Sequence, residues 1–175
     1  MTTRPSDTIT PMARQGTYAK GTARRLEILQ AARNVLAQEG YRNTSLRSIA
    51  RSLSMEPAHI LYYFGSRENL LREVLEEWDN RTGADFQSGD APDLLALFTK
   101  AIRHNLQIPG IVHTYLTFAA EAVDASHPAH DYFKERFART RELLSDSIRS
   151  GQQTGQIRSE LDPDRTARML IAIAD

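Results

Sequence analysis

Thr44-Ser45-Leu46-Arg47-Ser48-Ile49-Ala50-Arg51-Ser52-Leu53-Ser54-Met55-Glu56-Pro57-Ala58-His59-Ile60-Leu61-Tyr62-Tyr63-Phe64 is the stretch on which the fold of this chain turns. It reads as two short helices joined by a tight turn. Leu46, Ile49, Ala50 and Leu53 recur at helical spacing and give the first helix one apolar face. The hydroxyls of Thr44 and Ser45 are placed to cap its N-terminus. Ser54 and Met55 form the turn, with Met55 expected to point inward. Pro57 suits the first turn of the second helix, where its missing N–H costs nothing. Ile60, Leu61 and Phe64 then repeat the apolar spacing. Helices this short are not stable alone. They have to be held against neighbours, which leaves the start and outer face of the second exposed. A helix-turn-helix presents its recognition helix to the major groove in this way.

The stretch resembles the DNA-binding motif of the TetR (tetracycline-repressor-like) family of bacterial regulators. That family's pattern is a Thr-rich cap, Ile-Ala, a Gly-Val-Ser turn, Leu-Tyr-x-His-Phe, and a Lys-Glu-x-Leu helix start. The matching residues are Thr44-Ser45, Ile49-Ala50, Ser54-Met55-Glu56, Ile60 to Phe64 and Arg67-Glu68-Asn69-Leu70. Ser54, Glu56, Leu61 and Tyr63 depart from it, standing where the family has Gly, Ser, Tyr and His. Motif and flanking helices cover roughly the first half of the chain. The resemblance implies an N-terminal three-helix DNA-binding domain followed by a helical ligand-binding and dimerisation domain. It also implies three partners: double-stranded operator DNA, a small-molecule effector and a second copy of the chain. In the family, positions matching Thr44, Tyr63 and Arg67 touch the DNA backbone. Glu56, Pro57, Ala58, His59 and Tyr62 stand where its recognition helix meets the groove. Arg47 adds a cation at the start of the first motif helix, the chemistry of a phosphate contact.

Composition bounds the alternatives. The 175 residues suit one or two compact domains, and a 41% hydrophobic fraction is enough for a core. With no cysteine, neither a disulfide framework nor a Cys-ligated zinc site is possible. No apolar run approaches the ~20 residues of a membrane span, and no apolar signal region opens the chain, so a cytoplasmic location is expected. The zero net charge hides a division. Residues 1–72 carry eleven Lys/Arg against five Asp/Glu, and the remainder eleven against seventeen. A basic half joined to an acidic half suggests that the first faces a polyanion.

In chain order, residues 1–20 lack apolar periodicity and are expected to be a disordered basic arm, either touching DNA or simply solvated. Residues 21–65 form the helix-turn-helix domain. Its first helix is expected from about Ala23 to Glu39, with Ile28, Leu29, Ala32, Val35 and Leu36 on one face and Gly40 closing it. Residues 66–175 comprise a linker helix and the second domain. The linker helix starts at Ser66, carries Leu70, Leu71, Val74, Leu75 and Trp78, and is expected to end near Thr82-Gly83, with a boundary at Ser88-Gly89-Asp90. Asp90 is expected to cap a central apolar helix that Pro109-Gly110 breaks. Ser126-His127-Pro128 is expected to start a long helix ending near Gly151 to Gly155, and Asp162-Pro163 a final one. No strand alternation appears, and the chain reads all-α.

The aromatic and aliphatic side chains after Trp78 are either plain core or the wall of an effector site. Trp78, Phe98, Ile102, Tyr115 and Phe118 are the candidates. Glu121, an acid on an apolar helix, is either exposed or a ligand partner. The His127-Pro128-Ala129-His130 and Asp162-Pro163 helix starts resemble a subgroup that includes choline-responsive regulators. His127 and His130 share a helix spacing, but no third metal ligand is placed by sequence. No phosphate loop, nucleophile elbow or His-Glu-x-x-His appears, so no cofactor and no catalytic residue is expected.

The leading expectation is a ligand-responsive transcriptional repressor, not an enzyme, released from its operator by an effector. The alternative is a helical enzyme or metal-binding protein built on the histidines and acids of the second half. A helical adaptor that has lost DNA binding is a third. In the family the last two long helices form the dimer. Here the stripe of Ala167, Leu170, Ile171 and Ala174 is still running at Asp175, so truncation and weak dimerisation of this chain are expected.

Overall fold

The computed structural model describes residues 12–86 and 94–174. Among these there are eight helices and no strand. They are α1 (Met12–Asn43), α2 (Leu46–Ser52), α3 (Pro57–Phe64), α4 (Arg67–Phe86), α5 (Leu94–Asn105), α6 (Pro109–Glu121), α7 (His130–Gln153) and α8 (Pro163–Ala174).

The predicted apolar faces meet in one core. Ile28, Ala32 and Leu36 of α1 close on Ile49 of α2, Ile60 of α3 and Leu70, Leu71 and Val74 of α4, each completely buried. Each large aliphatic side chain among them contributes about 1.5–3 kcal/mol by leaving water. This stabilises α2 and α3, which are too short to stand by themselves. The same core continues without a break into Ile111 and Phe118 of α6 and Phe133 of α7. A second, smaller cluster joins Leu144 and Ile148 of α7 to Ala167 of α8.

Local signals set the helix ends. Ser45 caps α2 through a reciprocal capping box with Ser48, its side chain accepting from the Ser48 N–H at 3.1 Å. Asp162 accepts from the Arg165 N–H at 2.7 Å and Pro163 opens α8, as predicted. The break between α5 and α6 falls at residues 106–108, just before Pro109-Gly110, which forms the first turn of α6. A Cβ at Gly110 would lie 2.1 Å from the Leu36 carbonyl oxygen, so only glycine allows α6 to rest this closely on α1.

Several boundaries differ from the sequence reading. α1 begins at Met12, not near Ala23. Apolar periodicity marked only its buried part, whereas Ala13, Arg14, Gln15, Ala19 and Lys20 extend the helix by propensity. Gly40, at φ 74°, interrupts the helix where its end was expected. α4 runs past Gly83 to Phe86. α7 starts at His130, because Asp124 accepts from the backbone N–H and hydroxyl of Ser126 and holds the preceding residues in a turn. The expected boundary at 88–90 and the Asp90 cap lie outside the described residues, as do residues 1–11 of the arm.

Candidate DNA-binding surface and effector cavity

α3 divides its residues between two environments. Ile60 and Phe64 are buried, while Ala58, His59 and Leu61 are exposed and Tyr62 is 85% exposed. Glu56 stands exposed at the N-cap, its carboxylate making no capping bond, and Pro57 follows half-buried. The ring of Tyr63 is half-buried against the core and meets Tyr62 edge-on at 5.4 Å. On α2, Arg47 and Arg51 are exposed one helical turn apart, and neither has an ion pair among the described residues. Sequence reasoning named Arg47 and missed Arg51; the four-residue spacing of the two arginines was the available signal.

Two residues expected at the DNA backbone have partners within the protein. Thr44 is 1% exposed, and its hydroxyl donates to the Gly40 carbonyl at 2.8 Å. Arg67 turns inward. Its Nε donates to the Thr44 carbonyl at 2.7 Å, its Nη2 to the Tyr41 carbonyl at 3.0 Å, and its guanidinium lies 4.8 Å over the Tyr41 ring. Both residues tie off the C-terminal end of α1, where carbonyls lack helical partners and a cation is favoured. Arg25 is also used internally. It forms a bidentate pair with Glu73 of α4, which raises its pKa, and covers the Phe64 ring at 4.5 Å.

Between α4, α5, α6, α7 and α8 lies a cavity of about 440 Å³, within the usual range for small-molecule sites. Of the six predicted ligand residues, Trp78, Phe98, Ile102 and Tyr115 line it. Phe118 does not; it is fully buried in the core against Tyr41 and His127. Glu121 is exposed away from the cavity, its carboxylate 3.4 Å from His127 Nε2. The remaining histidines also have structural neighbours. His104 stacks on Trp78 at 5.3 Å, His113 packs on Tyr41 at 5.5 Å, and His130 Nδ1 lies 2.8 Å from the Ala122 carbonyl.

The polar floor of the cavity was not predicted. Tyr132 donates to Asp79 Oδ2 at 2.6 Å, Arg136 Nε donates to the same oxygen at 2.7 Å, and Arg136 Nη1 donates to the Tyr115 hydroxyl at 2.9 Å. Burial and the adjacent Asp79 carboxylate hold the Tyr132 phenol far above its ordinary pKa, so it stays a donor. Burial alone would lower the Arg136 pKa, but Asp79 outweighs it and the net direction is upward. Trp78 Nε1–H donates to Asn105 Oδ1 at 3.1 Å. These partners lie 21 to 57 residues apart, which no local pattern could signal.

A model of the family described as "Bacterial regulatory proteins, tetR family" matches residues 28–74, and one described as "Tetracyclin repressor-like, C-terminal domain" matches residues 114–175. The chain belongs to the TetR family. It is 26% identical to the HTH-type transcriptional repressor KstR2 of Rhodococcus jostii, over 93% of this chain and 81% of that protein. A putative transcriptional regulator of Saccharomonospora viridis, solved in complex with choline, superposes with a TM-score of 0.68 at 25% identity, covering 88% of this chain and 82% of that one. The ketosteroid transcriptional regulator KstR2 of Mycobacterium tuberculosis superposes at 0.58 and 25%, covering 86% and 79%. As a TetR-family member the chain is a ligand-responsive transcriptional repressor with a helix-turn-helix DNA-binding domain. The relatives are regulators, and the alternative of a helical enzyme finds no support among them. No helix among the described residues is long and apolar enough to cross a membrane.

Proposed function

We propose that two copies of the chain bind an operator, each laying the outer face of α3 in a major groove. Glu56, Pro57, Ala58, His59 and Tyr62 face the bases, and Arg47 and Arg51 flank them on phosphates. Thr44 and Arg67 act from behind, holding the end of α1 on which α2 is seated, and Tyr63 supports Tyr62. An effector occupies the cavity under Trp78 and favours a conformation with the wrong half-site spacing. It does so only through a difference in its affinity for the two states. The observation that carries this reading is the exposure of Tyr62 on a helix whose Ile60 and Phe64 are buried. A large aromatic side chain presented to solvent on the helix that follows two arginines without ion pairs among the described residues suits a nucleic-acid partner.

Selection of binding sites from a random DNA pool is the test, followed by titration of the selected site against salt. The expected result is a two-fold symmetric site with half-sites about 34–36 Å apart, or a multiple of that, and affinity that falls steeply as salt rises. An unselective pool, or affinity indifferent to salt, would overturn the proposal.

A further inference from the structure

We infer that the effector is an organic carboxylate, an apolar body ending in one anionic group; this rests on the reading of the cavity as the effector seat. The polar groups of the cavity wall carry the inference once those already used are set aside. Asp79, its carboxylate, accepts from both Tyr132 and Arg136. The charge of Arg136 is balanced by Asp79 at 2.7 Å. Asn105 has its oxygen on the Trp78 indole, which leaves its NH₂ as a donor.

Arg139 and Thr140 remain. Both line the same cavity from α7, one turn beyond Arg136. Neither has a hydrogen bond or ion pair among the described residues. Arg139 is exposed, so it stands at the rim, while Phe98, Ile102, Ile111 and Val112 line the wall within. Among the described lining residues Arg139 is thus the one charge left unbalanced: Asp79 Oδ1 accepts no bond, but its carboxylate is already offset by Arg136, and the Asn105 NH₂ and the Thr140 hydroxyl lie unused beside an apolar interior. A guanidinium with a neighbouring hydroxyl matches a carboxylate, which it can hold by two parallel N–H···O bonds. A quaternary ammonium would meet the uncompensated charge of Arg139, since the Asp79 carboxylate is already balanced by Arg136. The likeness to a choline-bound regulator therefore carries over the fold and not the ligand's charge.

Trp78 is the chain's one tryptophan and stands in the cavity wall, so its fluorescence reports occupancy directly. Two matched sets of probes are titrated against the full chain. One is phenylbutyrate, phenylbutyramide and phenylpropyl-trimethylammonium; the other is octanoate, octanamide and hexyltrimethylammonium. Within at least one set the carboxylate is expected to bind about tenfold or more tighter than its amide or ammonium counterpart. Arg139→Gln should abolish that ratio without lowering the melting temperature, and Arg139→Glu should reverse it in favour of the ammonium. Equal binding within both sets, absence of any carboxylate binding, or a ratio that survives in Arg139→Gln would overturn the inference. Operator release is measured separately. A carboxylate that binds selectively without releasing DNA would remove the cavity's role as effector seat and leave its anion selectivity standing. Release by all three members of a set alike would do the reverse.

Discussion

The DNA-binding end and the cavity end of this molecule arrange their charges in opposite ways. Around α1 to α4, inward-turned cations are tied to backbone carbonyls or a neighbouring carboxylate, and the apolar interior is left plain. Arg67 holds two carbonyls and Arg25 holds Glu73, while Arg47 and Arg51 point outward unpaired. Around the cavity, the pair Asp79–Arg136 and two tyrosine hydroxyls sit inside, with each side chain of the pair about one-fifth exposed. A rigid reader needs its polar groups on the outer face and a dry core behind them. A ligand seat needs polar groups within, at the cost of their desolvation. The sharpest test of this difference is to break the inner pair. Asp79→Ala strands the Arg136 cation and should lower unfolding stability in urea by about 3 kcal/mol. Asp79→Ala combined with Arg136→Met should recover most of it. A loss below ~1 kcal/mol would show the pair to be hydrated, as an exposed one is.

The two ends meet where α6 rests on α1. Gly110→Ala forces a methyl group to within 2.1 Å of the Leu36 carbonyl, so the helices have to separate. Overpacking of this kind should cost about 1–3 kcal/mol, read as a lowered melting temperature. Ile111 and Val112, next in the chain, line the cavity, so Gly110→Ala should also weaken the dependence of DNA affinity on effector. Unchanged stability would mean that α6 can lift from α1 freely, and the two ends would then be less coupled than the shared core implies.

A third comparison lies within the DNA-binding end, between arginines that look alike in the sequence. Arg67→Ala removes two charge-assisted bonds to carbonyls and should cost about 1.5 kcal/mol of stability, with the salt slope of DNA binding preserved. Arg47→Ala should leave stability within about 0.5 kcal/mol while reducing the salt slope by about one. A salt slope that falls in Arg67→Ala would return that residue to the phosphate contacts.

These arginines show what the sequence could and could not convey. The apolar spacing of Ile28 to Leu36 and of Ile49, Ile60 and Phe64 fixed the core of the first half, because helical burial repeats every three or four residues. The same rule located four cavity residues but placed Phe118 with them, since periodicity reports an inward face and not whether a void lies beyond it. The internal partners of Arg67 and Thr44 were not legible, because a family position says where a residue stands on its helix. It does not say which way a long or small polar side chain turns. Asp79, Tyr132 and Arg136 left no trace in any local window, their contacts being set by how α4 and α7 pack.

The smallest expected effect concerns one residue of the turn where the chain departs from its family. α2 ends with the Met55 N–H on the Ala50 carbonyl at 3.0 Å and the Ser54 N–H on the Arg51 carbonyl at 3.2 Å. That pair of bonds is a Schellman motif, which requires a left-handed residue just after the cap. Ser54 occupies that position at φ 50°, the one positive-φ residue other than glycine among those described. α7 ends with the same pair of bonds, Gln156 N–H to Gly151 and Gly155 N–H to Gln152, and there the left-handed residue is Gly155 at φ 74°. A left-handed conformation costs an L-residue about 1–2 kcal/mol, whereas glycine adopts it freely but loses about 0.5–1 kcal/mol through greater freedom when unfolded. The strain exceeds the entropy by a small margin, so Ser54→Gly should raise stability by about 0.5 kcal/mol. Ser54 is exposed and its side chain has no hydrogen bond among the described residues, so little is lost with it. Thermal melts of wild type and Ser54→Gly, with Gly155→Ala as the converse and expected to destabilise, decide the point. A Ser54→Gly variant less stable than wild type would mean that the turn relies on its serine in a way the Schellman geometry does not explain.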